Sequence, residues 1–275
     1  GIQGWNGVPM RTRFFVTAML LWGFGQPFLF SKAPDTVFLD ELTWIEVRDA
    51  IREGVTTIIV PTAGTEQKGP HMVLGEHKFV VNYAAERIAR RLGNTLVAPV
   101  VTYVPEGALA PPSGHMRYAG SITLPNKYFM KILEYAARSF SVHGFTDIVF
   151  IGDSGGNQSG MEQVALQLNK EWADEMTRVH FVGDYYSDNG YREWLKSQGE
   201  TEETIGRHAG ISDTSQLLFI APHHIRLDKL APGGGFLGSG ASGDPTRASA
   251  ERGKKGIELK VEVAVRQVQR LMSMR

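Results

Sequence analysis

The chain has 275 residues, 42% hydrophobic and 21% charged, with 29 Lys and Arg against 29 Asp and Glu and no cysteine. Zero cysteine excludes disulfides, thiolate metal sites, iron–sulfur clusters and a cysteine nucleophile together, and zero net charge argues against nucleic acid as a partner, because phosphate contacts need a surplus of Lys and Arg. The length suits one large domain with ample chain to bury a core.

Residues 1–33 carry Arg11, Arg13 and Lys32 and no acid, which leaves the remainder at −3. A basic start at Met10, an apolar run from Phe14 to Phe24 and small residues at Ser31 and Ala33 read as an export signal; the other reading is an apolar N-terminal arm. Gly23, Gly25, Gln26 and Pro27 interrupt the run, so a stable membrane span of about 20 residues is not expected. A signal implies a periplasmic or secreted protein, an arm a cytoplasmic one. The working domain is placed at 34–275.

Thr43 followed by Glu46 forms a capping box and predicts a first helix. Residues 56–60 are β-branched and end at Pro61, which suits a buried parallel strand. Helical rhythm over 77–92 and 127–143 is followed by apolar runs at 96–101 and 147–151. A helix over 157–174, a strand over 178–182 and a long closing helix over 250–273 complete the pattern. Strands spaced by helices indicate βαβ units, hence an α/β fold with a mostly parallel sheet covered on both faces. The Gly/Pro/Ser-rich stretch 231–245 reads as an ordered loop near the site or at a subunit contact.

Ligands of open α/β sheets bind beyond the carboxyl ends of the strands, so the chemistry is sought in the loops after the predicted strands. The first of these loops holds Glu66, Lys68, His71, Glu76 and His77. The third is Gly152-Asp153-Ser154-Gly155-Gly156-Asn157, a turn able to bring backbone N–H groups against a ligand. Gly114-His115-Met116-Arg117 and the segment from His208 to Ser215 add further polar groups.

At these residues the sequence resembles the creatininase family of metal-dependent amidohydrolases. The resemblance is carried in order by Leu42-Thr43-Trp44, Gly64-Thr65-Glu66-Gln67 with Gly69-Pro70-His71, Leu74-Gly75, the run from Gly120 to Leu124, Gly155-Gly156-Asn157, His208-Ala209-Gly210 with Asp213-Thr214-Ser215, and Gly243-Asp244-Pro245. It implies a three-layer α/β/α domain, a homo-oligomer, commonly a hexamer, and hydrolysis of a C–N bond at zinc or manganese. Three positions depart from the family pattern. Lys68 stands where the family has a ligand histidine, His77 where it has a bridging aspartate, and Ser154 where it has another histidine.

Those departures argue against two ions. One divalent ion, zinc or manganese, is expected on Glu66, His77 and Asp153, since one imidazole and two carboxylates with a position left for water make a workable hydrolytic sphere; Glu76 is the substitute for His77. Water on that ion would attack a small cyclic or linear amide, His208 beside Asp213 would assist departure of the amine, and the Gly155 and Gly156 N–H groups would steady the oxyanion. His115 and Arg117 are placed where a substrate anion docks. His71 is read as a hydrogen-bonded loop histidine, and Asp213 alternatively as the cap of a helix starting near Thr214. Two other readings stand beside this one. Gly152 to Gly156 fits the Gly-x-Ser-x-Gly turn of a serine hydrolase with Ser154 as nucleophile, and the missing histidines suit a non-catalytic family member that binds a small molecule.

Overall fold

The computed structural model describes residues 34–274. The segment 1–33, on which the export-signal reading falls, lies outside the described residues. The capping box forms: Thr43 Oγ1 accepts the Glu46 N–H at 3.3 Å and Glu46 Oε2 accepts the Thr43 N–H at 2.7 Å, starting α1 (Trp44–Arg52). Then follow β1 (Thr57–Thr62), α2 (Glu76–Leu92), β2 (Thr95–Val97), α3 (Asn126–His143), β3 (Asp147–Gly152), α4 (Gln158–Glu171) and β4 (Arg178–Phe181). Short α5 (Tyr191–Ser197) and α6 (Glu202–Ile205) lead to α7 (Ile211–Ile220) and the long α8 (Ala250–Ser273).

Among the described residues the sheet has four strands in the order β2-β1-β3-β4, all parallel, with Thr57 beside both Thr95 and Asp147, and Asp147 beside Arg178. Side chains alternate across the two faces because the strand period is two. Ile59, Val149 and Ile151 pack against α2 and α8, whereas Ile58, Val60, Ile148 and Phe150 pack against α3 and α4. Both faces are therefore apolar and covered, which gives the three-layer α/β/α arrangement and explains why the strands read as unbroken hydrophobic runs.

Three boundaries differ from the sequence reading. The strand expected over 96–101 ends at Val97, since Pro99 has no N–H for the ladder, and the chain touches β1 again only through the bridge between Thr62 and Val101. The helix expected from 157 is preceded by a 3₁₀ turn, Gly155–Asn157, and stops at Glu171. The helix expected from Thr214 begins at Ile211, so Asp213 lies within its first turn.

Candidate active site

The carboxyl ends of β1 and β3 open on a cavity of about 600 Å³. Glu66 and Lys68 reach it from the loop after β1, His77 from the first turn of α2, Asp153 and Ser154 from the turn after β3, and Lys260 from α8. The loop after β2 adds Glu106 and His115, and His208 and Asp213 arrive with α7. The 231–245 stretch folds over this cluster. The Gly240 carbonyl accepts from Gln67 Nε2 at 2.9 Å, and the Phe236 ring meets His115 edge-on at 5.2 Å.

The centre is a chain of buried charges. Lys68, about 1% exposed, places Nζ 3.0 Å from Asp213 Oδ2, 3.1 Å from Glu76 Oε2 and 3.5 Å from Glu66 Oε1. Burial works against its charge, yet Asp213, Glu76 and Glu66 outweigh it and hold the ammonium well above its ordinary range. His77 bridges two carboxylates, with Nε2 3.0 Å from Glu66 Oε1 and Nδ1 3.1 Å from Asp153 Oδ2. Burial and Lys68 oppose its protonation, but Glu76, Glu66 and the Asp153 hydrogen bond raise its pKa to about 10, so it is an imidazolium. Asp153 also receives Lys260 Nζ at 2.5 Å. Against their burial, Glu66 is kept ionised by His77 and Lys68, and Asp153 by Lys260 and His77.

Beside this chain stands a carboxyl pair. Glu106 is hydrogen-bonded to Glu66, and burial together with that bond pushes its pKa up to about 9. Two carboxyl groups can hydrogen-bond only by sharing a proton, so Glu106 is the acid and Glu66 the carboxylate. Ser154 Oγ donates to Glu106 Oε1 at 3.4 Å. The backbone must come close to form this floor: a Cβ on Gly156 would stand 2.3 Å from the Pro105 carbonyl oxygen. His208 donates from Nε2 to the Gln67 carbonyl at 2.7 Å and turns Nδ1 towards Glu66 Oε1 at 3.8 Å; burial, then Lys68, lowers its pKa to about 4.

The structure brings together Glu66, His77, Asp153, His115, His208, Asp213, Gly155 and Gly156. Arg117, expected at a substrate anion, is exposed at the end of a 3₁₀ turn and outside the cavity lining, because the turn that faces His115 inward points the residue two places on to the surface. Asp213 is not the cap expected of it, since α7 starts at Ile211 after Gly210; from the first turn its Oδ2 accepts the Ala209 N–H at 2.9 Å and faces Lys68 at 3.0 Å. His71 is a buried loop histidine bonded to Thr214 Oγ1 at 2.9 Å. Ser154 sits between strand and helix as a nucleophile turn would, but its hydroxyl meets Glu106 and no imidazole is in hydrogen-bond reach among the described residues. Two site residues escaped the sequence reading. Lys260 left a signal, a lysine within the apolar stripe of Ile257, Val261 and Ala264; Glu106 left none, standing alone in an aperiodic loop.

The sequence matches the creatininase family, described as creatinine amidohydrolase, over residues 40–268. The chain belongs to this family. It is 25% identical over 242 residues to the mycofactocin precursor peptide peptidase of Mycobacterium tuberculosis (strain CDC 1551 / Oshkosh), covering 78% of this chain and 86% of that one. It is 23% identical over 200 residues to the creatinine amidohydrolase of Pseudomonas putida, covering 71% and 76%. A solved structure described as creatininase with Mn superposes with a TM-score of 0.72 at 21% identity, covering 86% of this chain and 98% of that one, which shows the shared fold. A peptidase among the relatives means that membership does not confine the family to non-peptide bonds. Among the described residues no helix is long and apolar enough to cross a membrane.

The creatininase family uses divalent metal, and two groups of side chains here have ligand spacing: Glu66, His115 and His208, and Glu76, His77 and Asp153. The set expected from the sequence, Glu66, His77 and Asp153, does not converge on one point, because Glu66 and Asp153 face opposite nitrogens of the His77 ring. In the Glu76 group Lys68 and Lys260 already pair with the two carboxylates, at 3.1 and 2.5 Å. In the Glu66 group the obstacle is a tautomer. Gln67 is oriented by the Gly69 N–H and the Gly240 carbonyl, so its amide hydrogen faces His115 Nδ1 at 3.4 Å, which leaves the His115 proton on Nε2, facing Glu66 Oε2 at 3.4 Å where an ion needs a lone pair. Both groups thus have ligand spacing, the first with one imidazole hydrogen turned towards Glu66 and the second with its carboxylates held by lysines.

Proposed function

We propose that the chain is a hydrolase that cleaves the C–N bond of a small amide in the 600 Å³ cavity, using Glu66 and Glu106 as its base and acid. The observation that carries this reading is the juxtaposition of Glu66 and Glu106 in the cavity lining, their oxygens closing together over Gly64, with Glu66 driven towards the carboxylate and Glu106 towards the acid. Such a pair suits amide hydrolysis because like charges in contact cannot both ionise, which holds one group as base and the other as acid. The Glu66 carboxylate takes a proton from water as the water oxygen bonds to the carbonyl carbon, and the Glu106 carboxyl gives its proton to the carbonyl oxygen. Glu66 then passes its proton to the nitrogen, the C–N bond breaks, and one hydroxyl of the intermediate returns a proton to Glu106. Acid and amine leave, and both carboxyl groups are restored. Lys68 and His77 keep Glu66 ionised, while neutral His208 turns Nδ1 towards Glu66 Oε1 at 3.8 Å.

A second reading keeps one zinc or manganese ion on Glu66, His115 and His208; the 3.4 and 3.8 Å separations from Glu66 favour it, since ligands about 2 Å from a tetrahedral ion stand roughly 3.3 Å apart. The experiment is a panel of cyclic amides, formamides, lactones and short peptides, run with wild type and Glu106→Gln before and after chelation. Glu106→Gln is expected to lose at least about 10²-fold in turnover, the usual scale of one acid–base group, with chelation neutral. Full activity in Glu106→Gln overturns the carboxyl-pair reading, and activity lost on chelation and restored by zinc or manganese establishes the second.

A further inference from the structure

Glu66, Glu76 and Asp213 come from three separate elements, the loop after β1, α2 and α7, and their oxygens meet on one point, Lys68 Nζ, at 3.5, 3.1 and 3.0 Å. Such a convergence of carboxylates is what a hard cation demands, and the cation here is covalently part of the chain. Lys68 occupies the motif position of a ligand histidine in the family pattern. Behind it Lys260 does the same for Asp153 at 2.5 Å, across the ring of Tyr185, and His77 fills the remaining space between Glu66 and Asp153. Three carboxylates thus face Lys68 Nζ and a fourth faces Lys260 Nζ, so the two points on which these oxygens converge are already taken by ammonium groups.

We infer that the Lys68 ammonium, supported by Lys260, does in this chain the charge-holding work that a divalent ion does in the family, so that the site assembles without metal. The residues of the centre would then disagree with the family's cofactor by construction: the lysine both supplies the charge and fills the volume of the ion. The inference stands whether or not Glu66 and Glu106 turn a substrate over.

The test uses the full chain, purified without chelator, incubated with zinc or with manganese, desalted and subjected to metal analysis and thermal melting. Wild type is expected to hold no stoichiometric metal and to melt at one temperature with EDTA, zinc or manganese. Lys68→Ala vacates the point between the three carboxylates, and is expected to gain zinc or manganese and to melt about 5 °C higher at saturating ion. A wild-type chain that carries stoichiometric metal and loses melting temperature in EDTA overturns the inference. So does a folded Lys68→Ala that takes up no ion, because its carboxylates would then not form a cation site. Should Lys68→Ala fail to fold, Lys68→Arg keeps the charge and must fold metal-free; a metal-loaded Lys68→Arg overturns the inference as well. A metal-free wild type that hydrolyses nothing in the amide panel sinks the proposed activity and leaves this inference standing.

Discussion

One strand carries the same residue pair at both ends, with opposite consequences. At the amino end of β3, Asp147 Oδ1 meets His180 Nε2 at 2.7 Å, and both residues are buried. Past its carboxyl end Asp153 meets His77 at 3.1 Å, equally buried. The first pair ties β3 to its neighbour β4, and neither residue lines the cavity. The second continues through His77 to Glu66 and through Lys260 to α8, and so opens on the cavity. A buried aspartate–histidine pair is therefore not a functional sign in itself. What differs is the end of the sheet: loops leave the carboxyl ends in diverging directions and make a crevice, into which several elements deliver charge.

The largest test of that contrast is Lys68→Met. It leaves Glu66, Glu76 and Asp213 without the cation they share, and is expected to lower unfolding free energy by about 3–5 kcal/mol, the scale of an uncompensated buried charge, read from urea denaturation. Next comes pH. His77 has a folded pKa near 10 against an ordinary 6.5, so its contribution is full below pH 6.5 and is lost as pH rises towards 10. His208 has a folded pKa near 4, so its neutral form costs stability as pH falls from 6.5 towards 4, where the unfolded chain binds the proton first. Wild type should thus be most stable near neutrality, His77→Gln should flatten the alkaline limb and His208→Gln the acid limb; an unchanged alkaline limb in His77→Gln would contradict the imidazolium assignment. Asp147→Asn, at the other end of β3, should cost about 1–3 kcal/mol while leaving any activity of the cavity intact, which separates this pair from the one that lines the cavity. The smallest effect is Thr43→Ala, at about 1 kcal/mol from the lost cap of α1, measured by the same denaturation.

Much of the architecture was legible because it is local. The Thr43 and Glu46 box, the apolar rhythm of α2, α3 and α8, and the β-branched runs of β1 and β3 each report their own conformation. The cavity lining was legible where it follows strand ends, as Glu66, His77 and Asp153 do. It was illegible where contacts are long-range. Glu106 reaches Glu66 across a loop with no period, and Arg117 turns outward although His115, two residues earlier, turns in.

The sequence by itself determined the fold class, the family and the loops that hold the chemistry, since periodicity, capping and ordered motifs are properties of neighbouring residues. The tertiary structure alone decided which charges meet. Lys68 read only as a departure at a ligand-histidine position; the packing of α2, α7 and α8 on the sheet set it among three carboxylates and set Lys260 on Asp153. Charge pairing in a buried centre depends on distances of a few ångströms between elements far apart in the chain, and those distances exist only once the core has packed.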